Sequence, residues 1–176
     1  EIVSTLANGL SVPVTCKTRI YKGEDGLARS IRLCETLVDA GASMLTIHGR
    51  TREEKGEWTS AADWDTLRAI KAHFARRDRN VPIIANGGIS SLADVERCLA
   101  HTQCDGVMSS EAILENPALF SDSKDPQTGE HVSQLRLAEE YLALAKEHPP
   151  RIIKIVRGHI MKILYRYFTI YTDLRD

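Results

Sequence analysis

Residues 81–111 read VPIIANGGISSLADVERCLAHTQCDGVMSSE. A β-branched run at 81–85 ends in Asn-Gly-Gly, and the segment 91–100 then places Leu92, Val95 and Leu99 at helical spacing. A second short apolar run follows at 105–109. A helix between two short strands returns the chain to the end from which it started, so the strands run parallel and the crossover is right-handed. One such unit occurs in many folds; its repetition decides the class here.

The unit recurs upstream. Residues 12–20, VPVTCKTRI, read as a strand, and 26–40 as a helix with Leu27, Ile31, Cys34, Leu37 and Val38 on one face and Gly41 as its stop. Residues 44–48 form the next strand. The helix at 60–76 has Trp64, Leu67 and Phe74 inward and Ser60 as its expected N-cap. Ahead of these units, EIVSTLANGL reads as the end of an amphipathic helix closed by Asn8 and Gly9. With no initiator methionine, and with TDLRD an abrupt finish, the chain is expected to be a piece whose natural start lies upstream.

After Pro117 the alternation stops. The polar stretch SDSKDPQTGE is followed by two helices with no strand between them. One spans 132–147 on a stripe of Leu135, Ala138, Leu142 and Ala145. The other runs from about 151 to 171 on Ile152, Val156, Ile160, Ile163 and Tyr167, its start fixed by Pro149 and Pro150. The expected organisation is an α/β part over 1–120 and an all-helical part over 121–176.

With 43% hydrophobic residues in 176, the chain can build a real core. Its net charge of -1 excludes a polycation that coats nucleic acid by bulk charge. The distribution is uneven: residues 151–176 hold six Lys or Arg against two acids, a net of +4, which leaves -5 for the rest. A basic end on an acidic body suits contact with something anionic, and equally a solvated helix face. No apolar run approaches the roughly 20 residues of a membrane span. Cys16, Cys34, Cys98 and Cys104 lack metal or redox spacing; the first three sit in apolar patterns and read as core, so no metal is expected. A reduced, cytoplasmic setting follows, with the nucleus also open.

In a parallel α/β fold, functional groups collect where the carboxyl ends of the strands meet the loops. Here those ends read CKTR, IHGRTR, ANGGI and MSSE. Asn86, Gly87 and Gly88 before a helix offer permissive backbone and free N–H groups to a phosphate, although Asn-Gly-Gly is also a turn. The next strand end, with Ser110 and Glu111, repeats the device one unit later, as barrel enzymes do for phosphate. His48 ends a strand beside a loop carrying Arg50, Arg52 and Lys55, and a neutral imidazole can donate to a phosphate or carbonyl. Arg50 and Arg52 either clamp anions or pair with Glu53 and Glu54. Lys17 on an interior strand requires a partner: an electron-rich cofactor ring, or Glu24 or Asp25 at the sheet's edge.

With these ends in order, the sequence resembles the dihydrouridine synthases, through PVTCKTRI, LTIHGRTREEKGEW, PIIANGGI, DGVMSSEAILENPALF and the tail RGHIMKILYRYFTIYTDLRD. PVTCK with NPALF resembles in particular the eukaryotic branch acting on tRNA positions 16 and 17. The resemblance implies the C-terminal half of a TIM (β/α)8 barrel followed by a small all-helical domain, an FMN cofactor reduced by NADPH, and a tRNA substrate. It implies FMN contacts from Lys17, His48, Asn86, Gly87, Gly88, Ser110 and Glu111, with Ser-Glu standing where other branches have Gly-Arg. RNA contacts are expected from Arg19, Arg50, Arg52, Lys154, Arg157 and Lys162. The family's proton-donating cysteine is expected upstream, none of the four here standing in its motif, so the chain alone is expected to be inactive. Two other readings stay open: a non-catalytic RNA-binding module, and another phosphate-binding barrel enzyme for small molecules, with Lys17 as a Schiff base.

Overall fold

The computed structural model describes residues 1–77, 80–121 and 131–174. Four strands, β1 (Thr15–Arg19), β2 (Met44–His48), β3 (Ile83–Asn86) and β4 (Gly106–Met108), form one sheet in chain order. All three pairings are parallel. The helices α1 (Ile2–Gly9), α2 (Gly26–Asp39), α3 (Trp64–Arg76) and α4 (Leu92–Thr102) precede and connect them. The βα alternation follows the expected order, and the class is α/β.

The period of two along the strands separates two faces. Leu45, Ile47, Ile83 and Ala85 point to one face and are fully buried with Cys34, Leu67, Ile70, Phe74 and Cys98 of the helices. The other face carries the polar residues. Register puts Lys17, Thr46, Ile84 and Gly106 in one row across the sheet, and Arg19, His48, Asn86 and Met108 in the next. Core residues thus fix the strands, and their alternation presents the chemistry on the opposite side.

Gly41 does stop α2. Ala42 N–H donates to Leu37 O and Gly41 N–H to Val38 O, with Gly41 at φ 102°, the left-handed geometry of a helix C-terminus. A Cβ there would stand 2.6 Å from that of Ala7, so the glycine also admits α1.

Two boundaries differ from expectation. The third helix begins at Trp64, not at residue 60, because Asp63 supplies the cap: its carboxylate accepts from Thr66 N at 2.9 Å and Thr66 Oγ1 at 2.8 Å. Ser60 instead donates to Glu54. The final helix is broken into α7 (Ile153–Ile163) and α8 (Tyr165–Ile170) around Leu164. Leu164, at φ -95° and ψ 13°, closes α7 and opens α8.

Chain contacts divide the molecule into Glu1–Ile89 with Ala93–Ser109, and Ser90–Leu92 with Ser110–Asp176. The second unit holds α5 (Glu111–Glu115), α6 (Gln134–Glu147), α7 and α8 around the buried residues Leu119, Ala138, Val156 and Ile163. Ser133 caps α6 by accepting from Arg136 N. Its expected stripe is only partly covered: Ala138 is buried, whereas Leu135 and Leu142 are about half exposed, as is Ile152 before α7. The polar stretch read at 121–130 lies outside the described residues apart from Ser121. Among the described residues, no helix is long and apolar enough to cross a membrane, and no cluster of His, Cys, Asp or Glu could hold a metal.

Candidate functional site

His48 stands at the centre of the polar face. Its Nε2 lies 3.2 Å from Arg50 Nη1, and since a guanidinium only donates, Nε2 accepts and the proton sits on Nδ1. Partial burial, then the charges of Arg19, Arg50 and Lys17, push its pKa down to about 4 against an opposing pull from Glu54. The imidazole is therefore neutral at physiological pH. Those causes also record the grouping: four of the expected site residues converge here.

Gly87 packs against the ring. It has φ 102°, and a Cβ at this position would fall 2.8 Å from His48 Cδ2. Gly88 follows at φ 76°, also left-handed, so an L side chain would be strained at either position. The turn is held by Trp64, whose Nε1 donates to Gly87 O at 3.1 Å, and by Ser109 Oγ donating to Ile89 O. Asn86 is buried, and its Nδ2 donates to Met108 O at 2.9 Å, tying β3 to β4. Its amide is thus committed to the sheet.

The loop after β2 is folded over its own carboxylate. Glu54 accepts from Lys22 Nζ at 2.7 Å, from Thr51 N at 2.7 Å and from Ser60 Oγ, which together hold its pKa down at about 2. Arg19 Nη1 donates to Thr51 O at 2.6 Å and braces the same loop. Arg50 Nε donates to Ser60 O. Neither Arg50 nor Arg52 forms an ion pair with Glu53 or Glu54; Glu54 takes Lys22 instead. Arg52 and Arg29 help line an open cavity of about 840 Å³ with Lys17, Arg19 and Lys22, against a single acid among the described residues, Glu53.

Of the two partners read for Lys17, the ion pair with Glu24 or Asp25 is not formed. Lys17 is exposed on β1, the outermost strand among the described residues, and makes no hydrogen bond or ion pair with any of them. Partial desolvation and the charge of Arg19 lower its pKa. It is a free cation on the polar face. Cys16 alternates with Lys17 and so points to the other face, while Cys34, Cys98 and Cys104 are buried, with burial pushing the first two thiols up to about 12 and about 11.

Ser110 and Glu111 belong to the second unit, where Ser110 precedes the five-residue α5 without a side-chain cap. Lys154, Arg157 and Lys162 are exposed on α7. The residues that sequence reasoning did not assign to the site are Trp64, Glu54 and Tyr21. Trp64 reads as core by its spacing. Tyr21, under the guanidinium of Arg29 at 4.3 Å, lies outside any periodic element.

Residues 1–175 match the sequence profile of the family described as Dihydrouridine synthase (Dus). The chain belongs to the dihydrouridine synthase family. A Mus musculus protein named tRNA-dihydrouridine(16/17) synthase (NAD(P)(+))-like is 40% identical over 167 residues, which are 95% of this chain and 32% of that protein. A Schizosaccharomyces pombe tRNA-dihydrouridine(16/17) synthase (NAD(P)(+)) is 32% identical over 184 residues, covering all of this chain and 44% of that protein. This dihydrouridine synthase chain therefore spans 32% and 44% of the length of these two relatives. A solved structure of mandelate oxidase with (S)-2-phenylpropionate aligns with a TM-score of 0.38 at 21% identity, over 60% of this chain and 34% of that one.

Proposed function

We propose that this chain is part of an FMN-dependent tRNA-dihydrouridine synthase, acting on the D-loop positions 16 and 17 that its relatives' names print. In this reading residues 1–120 supply four of the eight βα units of a barrel, and 121–176 supply a helical tRNA-binding element. The observation that carries it is the polar face of the sheet. Lys17, Arg19 and His48 gather there beside a glycine turn whose two residues are both left-handed.

The residues fit a flavin phosphate. Gly87 and Gly88 present backbone without side chains, a neutral His48 offers Nδ1–H, and Lys17 is a cation with no ion pair or hydrogen bond among the described residues. Lys17, His48, Gly87 and Gly88 would hold FMN; Ser110 and Glu111, in the second unit, are kept as phosphate contacts only on the family resemblance. Asn86 would act through the strand pair that it ties. When bound, FMN reduced by NADPH supplies the hydride for the C5–C6 double bond of uracil.

The chain's own residues have narrower tasks. The Lys17 ammonium stabilises negative charge on an electron-rich ring. Arg50 fixes the His48 tautomer, and the depressed pKa keeps that ring from charging. Arg19, Arg50 and Arg52 with Lys154, Arg157 and Lys162 would meet tRNA phosphates, the target base being turned out of its stack. As the family resemblance implies, a cysteine outside this chain would supply the proton for C5; Cys16 alternates with Lys17, and Cys34, Cys98 and Cys104 are buried. Such a substrate places the work in the cytoplasm or nucleus.

Among the described residues β1 and β4 are each paired on one side only, and the isolated chain is expected to hold FMN weakly and reduce no uridine. The test is a chimera in which this chain replaces the matching segment of the S. pombe relative, followed by mass spectrometry of tRNA. Dihydrouridine should form, and should fall at least tenfold with Lys17→Met or Gly87→Val. A folded chimera that binds tRNA but yields no dihydrouridine would refute the assignment.

A further inference from the structure

An open cavity of about 460 Å³ runs along one face of α7 and α8, lined chiefly by Gly158, Met161, Lys162, Tyr165, Phe168 and Thr169. That volume lies in the roughly 300–1,000 Å³ range of small-ligand sites. We infer that the cavity takes an unpaired nucleobase of RNA, stacked on Tyr165 or Phe168 with its phosphate on Lys162. This rests on the RNA-binding reading above and names the form of RNA recognised.

Three observations support it. Tyr165 is 53% exposed although it is a large aromatic, so its ring is available to a partner. Aromatic rings with a nearby cation are what single-stranded nucleic acid recognition uses, because every base offers a π-face. The surrounding charge is complementary to a polyanion: between Arg151 and Thr172 the sequence has five Lys or Arg and no acid. An apolar peptide would have no use for that field.

The third observation is Gly158. It lies inside α7, where glycine weakens a helix, yet its φ is not left-handed and a Cβ there would meet nothing within 4 Å. Neither backbone conformation nor packing among the described residues requires it. What the missing side chain leaves is the open side of the cavity.

Binding of a short labelled oligouridylate, a blunt RNA duplex and a tRNA transcript, read by fluorescence anisotropy, tests the inference. Gly158→Leu should raise the melting temperature while weakening the oligouridylate by about fivefold or more, a loss that unfolding cannot explain. Tyr165→Ala should weaken the oligouridylate similarly and the duplex far less, with Tyr165→Phe restoring it. Three outcomes would overturn the pocket. In one, Gly158→Leu binds as the parent does. In another, duplex and single strand lose affinity equally with Tyr165→Ala, which would leave only a phosphate-binding surface. In the last, Gly158→Leu abolishes self-association and not RNA binding, which would make the occupant a second copy. Loss of all RNA binding by the parent chain would instead overturn the RNA reading on which the pocket rests.

Discussion

Lys17 shows what one residue's surroundings decide. An interior cation would need a partner; this one is exposed on the outermost strand among the described residues, and partial desolvation followed by the charge of Arg19 lowers its pKa. Its meaning comes from its neighbours in register. His48 is the sharper case, since partial burial and then three cations depress its pKa and only Glu54 opposes them. A histidine at about 4 in the fold and near 6.5 unfolded binds its proton more readily when unfolded. Its contribution to stability is therefore full above pH 6.5 and is lost as the pH falls through 4. Nitrogen-detected NMR should show His48 neutral, with the proton on Nδ1, from pH 8 down to 5. Arg50→Gln should move its titration upward by removing both a hydrogen bond and a charge. A midpoint near 6.5 in the parent chain would contradict the arrangement.

At the scale of elements, the strands and their order were legible because each is a short apolar run between turn signals, and each helix between them keeps its spacing. The polar face was legible too, since Lys17 and Arg19, two residues apart, must share a side. Boundaries set by one side chain were not. Ser60 and Asp63 are both good caps by type, and only the fold reveals that Ser60 is engaged by Glu54. The same holds for Trp64, whose bond to Gly87 O spans 23 residues, and for the Glu54 loop anchor; contacts of that kind leave no periodic trace. The cap gives a direct test. Asp63→Ala should lower stability by about 1 kcal/mol in urea denaturation, as loss of an N-cap does. Ser60→Ala should leave α3 unaffected by amide exchange while loosening residues 51–60. The reverse pattern would return the helix start to residue 60.

For the molecule as a whole, charge is the property that no single element carries. A net of -1 hides a basic tail and an acidic remainder, so long-range attraction to a polyanion would be weak while local contact at the tail would be favourable. Binding of that kind depends steeply on salt, because each neutralised phosphate releases counterions. On α7, Lys154 and Arg157 are exposed and make no ion pair with a described residue. Reversing both to Glu should weaken binding of a tRNA transcript, and should flatten the slope of log K against log salt by about one to two, the value for one or two lost phosphate contacts. Arg68, paired with Asp65 on α3, provides a control of equal charge change per site: Arg68→Glu should leave the slope as it was. If the double reversal changes neither affinity nor slope, the cations of α7 are a solvated face, and tRNA contact must come from the Arg19, Arg50 and Arg52 side of the protein.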